Sequence, residues 1–230
     1  MPTLSGAEWQ ALILSLQVAG MSVLCNLPIA IALAWLLTRR RFAGRGALDA
    51  LVHLPLVLPP VAVGYLLLVL FGSRGPIGHW LQSVFGWQLV FTRAGAALAT
   101  AVMSLPLMIR AMRVSLEHID PGLEDAARTL GAGPWDRFTS ITLPLMLPGI
   151  LAGAITAFAA GLGEFGAVIT FVSNIPGETR TLPLALYTAL QSPDGDAAAA
   201  RLAMLSIGLG LIGLFLAEHL SRAVARHLGR

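Results

Sequence analysis

Charge is what this 230-residue sequence has least of: 12% of it is charged, against 56% hydrophobic residues and a mean hydropathy of +0.77. A chain so composed cannot cover a soluble globule with polar side chains, which places it among polytopic membrane proteins. It has one cysteine, Cys25, so no internal disulfide can form. Lysine is missing, and all 15 basic residues are arginine. The net charge of +3 and the pI near 10 do not indicate a nucleic-acid binder, because the arginines flank apolar segments instead of forming one basic patch. No GxGxxG fingerprint, P-loop, zinc-spaced Cys/His cluster or Ser/His/Asp arrangement stands out. These gaps argue against an intramembrane enzyme and against a nucleotide site. If ATP drives this chain, another chain must hold it. A cleavable signal peptide is not expected, because Glu8 sits where a basic n-region belongs and the first apolar run is too long.

Long apolar runs are what the chain does have. About 20 such residues span a bilayer. The runs predict an all-α membrane domain over 1–230, with about five spans near 11–37, 48–71, 94–111, 143–167 and 197–217. Ser15, Ser22 and Asn26 are polar members of the first span, and Pro28 is a kink point. The second carries Pro55, Pro59, Pro60 and Gly64. Two readings stay open there: a kinked packing helix, or unwound backbone lining a translocation path. Trp80, Phe85, Trp87 and Phe91 suit a surface helix within 72–93. The fourth span is rich in Gly and Ala, which favours close helix packing. Glu164 follows it, either as an interfacial or packing group or as part of a gate. Ser15, Ser22, Asn26, Pro59 and Glu164 are therefore the candidates for a path or gate. Residues 173–196 read as an outer loop with a short helix near 182–190.

Arginine placement selects an orientation. With the N-terminus outside, eleven arginines fall in inner segments (39–45, 110–137 and 222–230) and four outside. The positive-inside rule favours that arrangement, with the C-terminus and the loop over 113–143 in the cytoplasm.

That loop contains the most organised polar stretch, residues 120–144. Asp120 suits an N-cap and Pro121 the first helical position. Leu123, Ala126, Ala127 and Leu130 form one apolar stripe, with Glu124, Asp125 and Arg128 on the other side. Glu124 precedes Arg128 by four residues, the favourable order for an ion pair. Gly131 is expected to end the helix in a left-handed conformation, and Gly133-Pro134 to begin another.

The stretch resembles the cytoplasmic EAA loop of bacterial ABC-importer permeases, in which EAA is followed by three residues, Gly, nine residues and I-x-L-P. Here Asp125-Ala126-Ala127 leads to Gly131 and then to Ile141, Leu143 and Pro144 at the same spacing. The one departure is Asp125 in place of Glu, with Glu124 beside it. Further segments, HLPLVLPPVAVGYLLL (53–68), LGEFGAVITFVSNIPGETRTLP (162–183) and AARL (199–202), are similar to the molybdate permeases, within a branch that also holds sulfate and tungstate permeases. The resemblance implies a type I ABC-importer permease fold and import of a tetrahedral oxyanion, molybdate, with tungstate or sulfate as alternatives. It also implies a second copy of this chain, two copies of a cytoplasmic ABC ATPase holding ATP and Mg, and a periplasmic molybdate-binding protein, all at the bacterial inner membrane among lipid. Residues 123–128, 130 and 131 would couple the chain to the ATPase. The chain itself would bind no cofactor or metal. A stand-alone secondary transporter is the competing class; it would usually show paired intramembrane charges or inverted repeats, and neither is evident.

Overall fold

Ser5 and Glu8 start the first helix by capping each other. Ser5 Oγ accepts from the Glu8 amide at 3.3 Å, and Glu8 Oε2 accepts from the Ser5 amide at 2.7 Å. The computed structural model describes residues 4–227, and among them every regular element is helical. α1 runs Gly6–Arg39, about 51 Å at 1.5 Å per residue. α2 (Arg45–His53), a 3-10 turn (Leu54–Leu56) and α3 (Pro60–Phe71) follow. α4 (Pro76–Phe85) is the short aromatic helix expected within 72–93. α5 spans Arg93–Glu117, α6 Pro121–Thr129 and α7 Pro134–Arg137. A π-helical turn (Phe138–Thr142) leads into α8 (Leu143–Leu162). α9 (Gly166–Val172), α10 (Leu182–Leu190) and α11 (Asp196–His227) complete the order. The side chains of the basic tail, Arg222, Arg226 and Arg230, lie outside the described residues.

Among the described residues, four helical segments are long and apolar enough to cross a membrane, or five if the bent pair α2–α3 counts as one crossing. That pair bends by 113°, so residues 48–71 do not form a single straight helix. The cause is Pro59-Pro60: neither supplies an amide hydrogen, and Pro60 holds Pro59 in an extended conformation (φ −56°, ψ 134°). The pair nevertheless reaches from one end of the bundle to the other. Asp49 of α2 pairs with Arg113 near the end of α5 at 2.7 Å, and Phe71 of α3 meets Phe171 of α9 edge-on, 6.4 Å between centroids.

α5 is the central post, in contact with α1, α8 and α9. Its contact with α8 depends on small residues four apart: Gly149, Gly153, Ala157 and Gly161 are all buried. A Cβ on Gly149 would collide with Ser115, and one on Gly161 would lie 2.8 Å from Thr100 Cγ2. Without a water-driven hydrophobic force inside lipid, this close approach is the main source of helix affinity. At one end of the bundle Glu8, 4% exposed, takes two hydrogen bonds from Arg201 of α11 (2.8 and 3.0 Å). At the other end Arg39 meets the α6 region. Basic side chains thus mark both ends, and the bundle between them is apolar.

Candidate functional site

The 120–144 hairpin is built as its residues dictate. Asp120 caps α6 by accepting from the Gly122 amide at 2.8 Å, with Pro121 at the first position. Gly131 has φ +91° and ends the segment, and the Ala132 amide bonds back to the Ala127 carbonyl at 3.0 Å. Gly133-Pro134 starts α7.

The apolar stripe of α6 faces away from the rest of the chain. Leu123 is 48% exposed and Leu130 88%, Ala126 is exposed and Ala127 half-buried. Glu124 turns the opposite way. Its Oε1 accepts from Thr142 Oγ1 at 2.9 Å and lies 3.6 Å from Arg39 Nε. Arg39 also donates to the Ile119 carbonyl at 3.2 Å. Glu124 therefore does not pair with Arg128 four residues on. Arg128 pairs instead with Asp125, at 3.4 Å on the exposed surface. The two adjacent acids divide the work: Glu124 fastens α6 to α1 and to the turn before α8, while Asp125 stays at the surface.

Ile141, Leu143 and Pro144 lie where the π-helical turn passes into α8. Pro144 offers no amide hydrogen to Ser140, and its ring crowds that carbonyl. The chain widens, and the Leu143 amide bonds to the Phe138 carbonyl instead. The same turn places Phe138 edge-on to Trp35 of α1, 6.2 Å between centroids.

The polar candidates of the first span sit in helix contacts. Ser15 Oγ accepts from the Leu182 amide at 2.7 Å, joining α1 to α10. Ser22 donates to the Ala19 carbonyl of its own helix. Asn26, 3% exposed, donates to the Ala101 carbonyl at 2.8 Å and lies 3.3 Å from Ser104 Oγ, both on α5. Pro59 and Glu164 lie outside these contacts of α1. Each belongs to a break: residues 57–59 before α3, and 163–165 before α9. The two half-helices then run packed together, with a Cβ on Gly166 placed 2.7 Å from Pro60 Cβ, and one on Gly64 placed 2.6 Å from the Ala167 carbonyl. Glu164, half-buried, caps α9 by accepting from the Ala167 amide at 2.9 Å.

The loop between α9 and α10 braces itself. Thr179 Oγ1 accepts from the Ile175 amide at 2.9 Å and donates to the Ser173 carbonyl at 3.0 Å. Arg180 Nε donates to Asn174 Oδ1 at 2.8 Å, and Arg93 donates to the Gly177 carbonyl at 2.7 Å.

Residues 26–226 match the family described as binding-protein-dependent transport system inner membrane component. The chain belongs to this family. It is 57% identical over 227 residues to the molybdenum transport system permease protein ModB of Escherichia coli, across 99% of both chains. It is 53% identical to ModB of Haemophilus influenzae, across 97% of both. Among solved structures, it shares its fold with a bacterial ABC transporter involved in the import of alginate (TM-score 0.75, 22% identity, 96% of this chain and 80% of that one). The chain is thus an ABC-importer permease subunit, not an enzyme in its own right.

Some contacts of this permease have no local sequence signal. Arg39 belongs to a basic cluster and Thr142 is the variable position of I-x-L-P, yet both meet Glu124. Glu8 shows its capping of α1 in the local pattern Ser5-x-x-Glu8, but not its pairing with Arg201, 193 residues away.

Proposed function

We propose that this permease carries molybdate inward across the bacterial inner membrane as one of two identical subunits. Two copies of a separate cytoplasmic ATPase, holding ATP and Mg, would drive it, and a periplasmic molybdate-binding protein would deliver the ion. The observation that carries the substrate is the 57% identity to a molybdenum permease across 99% of both chains. The N-terminus lies outside and the 120–144 hairpin inside, as the arginine distribution favours.

The geometry supports alternating access driven through α6. Its leucines are presented outward, where a groove on the ATPase receives them, and its inner face is tied to α1 and α8 through Glu124, Arg39 and Thr142. Displacing α6 therefore displaces the ends of two membrane-crossing helices. The docked helix must prefer one ATPase state, because a partner shifts an equilibrium only by its differential affinity. At the far side, the paired breaks before α3 and α9 supply the joint at which a path opens and closes, with Pro59 and Glu164 beside it.

The test is uptake of labelled molybdate into vesicles holding this permease, its ATPase and the binding protein, with and without ATP, competed by tungstate and by sulfate. ATP-dependent uptake blocked by tungstate and indifferent to sulfate is expected. Block by sulfate would move the chain to the sulfate branch, and uptake without the ATPase would overturn the reading.

A further inference from the structure

A cavity of about 580 Å³ opens where α1 ends, between α1 and the inner side of α6 and α7. Its charge is one-sided. Six arginines reach it: Arg39, Arg40 and Arg41 from the end of α1 and the turn after it, Arg45 from the start of α2, and Arg128 and Arg137 from the hairpin. Glu124 and Asp125 are its only carboxylates, and both already have arginine partners, Arg39 and Arg128.

Several donors around it are unused. Thr38 Oγ1 is buried and has no hydrogen-bond partner among the described residues. Arg39 Nε is buried too, and its 3.6 Å approach to Glu124 is an ion-pair distance, too long for a hydrogen bond. Arg41 and Arg45 have no side-chain partner among the described residues. Buried polar groups are ordinarily satisfied, and those that are not call for a ligand or water. So many guanidinium groups held together repel one another unless an anion lies between them.

One wall is aromatic. Trp35 and Phe138 line it, and Arg40 lies over the Trp35 ring at 5.1 Å. A tryptophan one turn before the end of a membrane-crossing helix sits at headgroup depth. The cavity is therefore basic on one side, apolar on the other and placed at the edge of the bilayer. The docking leucines of α6 point the other way, so an occupant does not compete with the ATPase.

The geometry points to this cavity as a binding site for the phosphate of an anionic phospholipid headgroup, held by the end of α1 against α6 and α7. Basic pockets between membrane helices on the cytoplasmic side take such headgroups. The inference leans on the functional reading only for the choice of leaflet. A lipid here bridges the same two elements that Arg39 and Glu124 join, and it neutralises the cluster beside them.

Native mass spectrometry of the full transporter complex, titrated with phosphatidylglycerol or phosphatidylcholine, tests it without reference to transport. Wild type is expected to retain phosphatidylglycerol and not phosphatidylcholine. The double variant Arg41→Gln/Arg45→Gln, which breaks no contact described in the protein, is expected to bind about 25-fold more weakly, at about fivefold per arginine. Thr38→Val, nearly isosteric, is expected to lose about threefold. Unchanged phosphatidylglycerol binding in the double variant, or equal binding of phosphatidylcholine, would overturn the site. If millimolar phosphate or molybdate binds through Arg41 and Arg45 while phosphatidylglycerol does not, the ligand is a free oxyanion and the lipid assignment falls.

Discussion

At the scale of single residues, Gly131, Glu124 and Asn26 carry different burdens. Gly131 sits at φ +91°, where an L side chain is strained by about 1–2 kcal/mol. No described atom crowds the position, so the cost of a side chain there is conformational within the chain and, under the proposed function, steric against the docked ATPase. Gly131→Asp is expected to abolish molybdate uptake while membrane levels of the protein stay normal; immunoblots of membranes beside uptake assays check both. Glu124 and Asp125 should separate cleanly. Glu124→Gln removes a charge that faces Arg39 and is expected to cost about 1–2 kcal/mol, seen as a lower melting temperature of the purified complex. Asp125→Asn removes an exposed pair and should change stability by less than about 1 kcal/mol. Asn26 joins α1 to α5 inside the bilayer, where such bonds average about 0.6 kcal/mol. Asn26→Leu is expected to keep uptake near normal. Loss of uptake at normal stability would put Asn26 on the path instead.

At the scale of elements, the small residues decide what packs where. Gly64 faces the Ala167 carbonyl, and a Cβ there would come within 2.6 Å of it. Gly64→Val should therefore part α3 from α9 and lower both stability and uptake, whereas Gly20→Ala, at a site with open space, should leave both unchanged. Much at this scale was legible in the sequence. Asp120, Pro121, Gly131 and Pro134 set the limits of α6 and the start of α7 through local backbone chemistry, which a sequence displays directly. The aromatic helix α4 and the helix at 182–190 were legible for the same reason. The sharp bend before α3 was legible only as an open choice, because proline marks a break without fixing its angle. The π-helical turn before α8 was not read, though Pro144 is its cause. Which way each face of α6 points was also hidden: the stripe Leu123–Leu130 was visible, but its outward direction depends on Arg39 and Thr142, brought to Glu124 only by the packed bundle. The polar residues of α1 were visible as polar; their partners on α5 and α10 were not.

At the scale of the whole molecule, the permease joins the α6 hairpin to the paired breaks before α3 and α9. A rigid post, α5, carries α1 and α8, whose ends are fastened to a short helix with its leucines unburied. The far half contains the breaks before α3 and α9, separate from the small-residue contact between α5 and α8, and the proposed function places the opening of the path there. Leu123 and Leu130 stay exposed on α6, and under the proposed function they are the face that the ATPase pushes. The central claim is that ATPase action enters through this face. The measurement that tests it most directly is molybdate uptake, run beside co-purification of the ATPase, for Leu123→Glu/Leu130→Glu in reconstituted vesicles. The account predicts a protein that still inserts in the membrane, no longer retains the ATPase and imports no molybdate. Full uptake with the ATPase retained would contradict it.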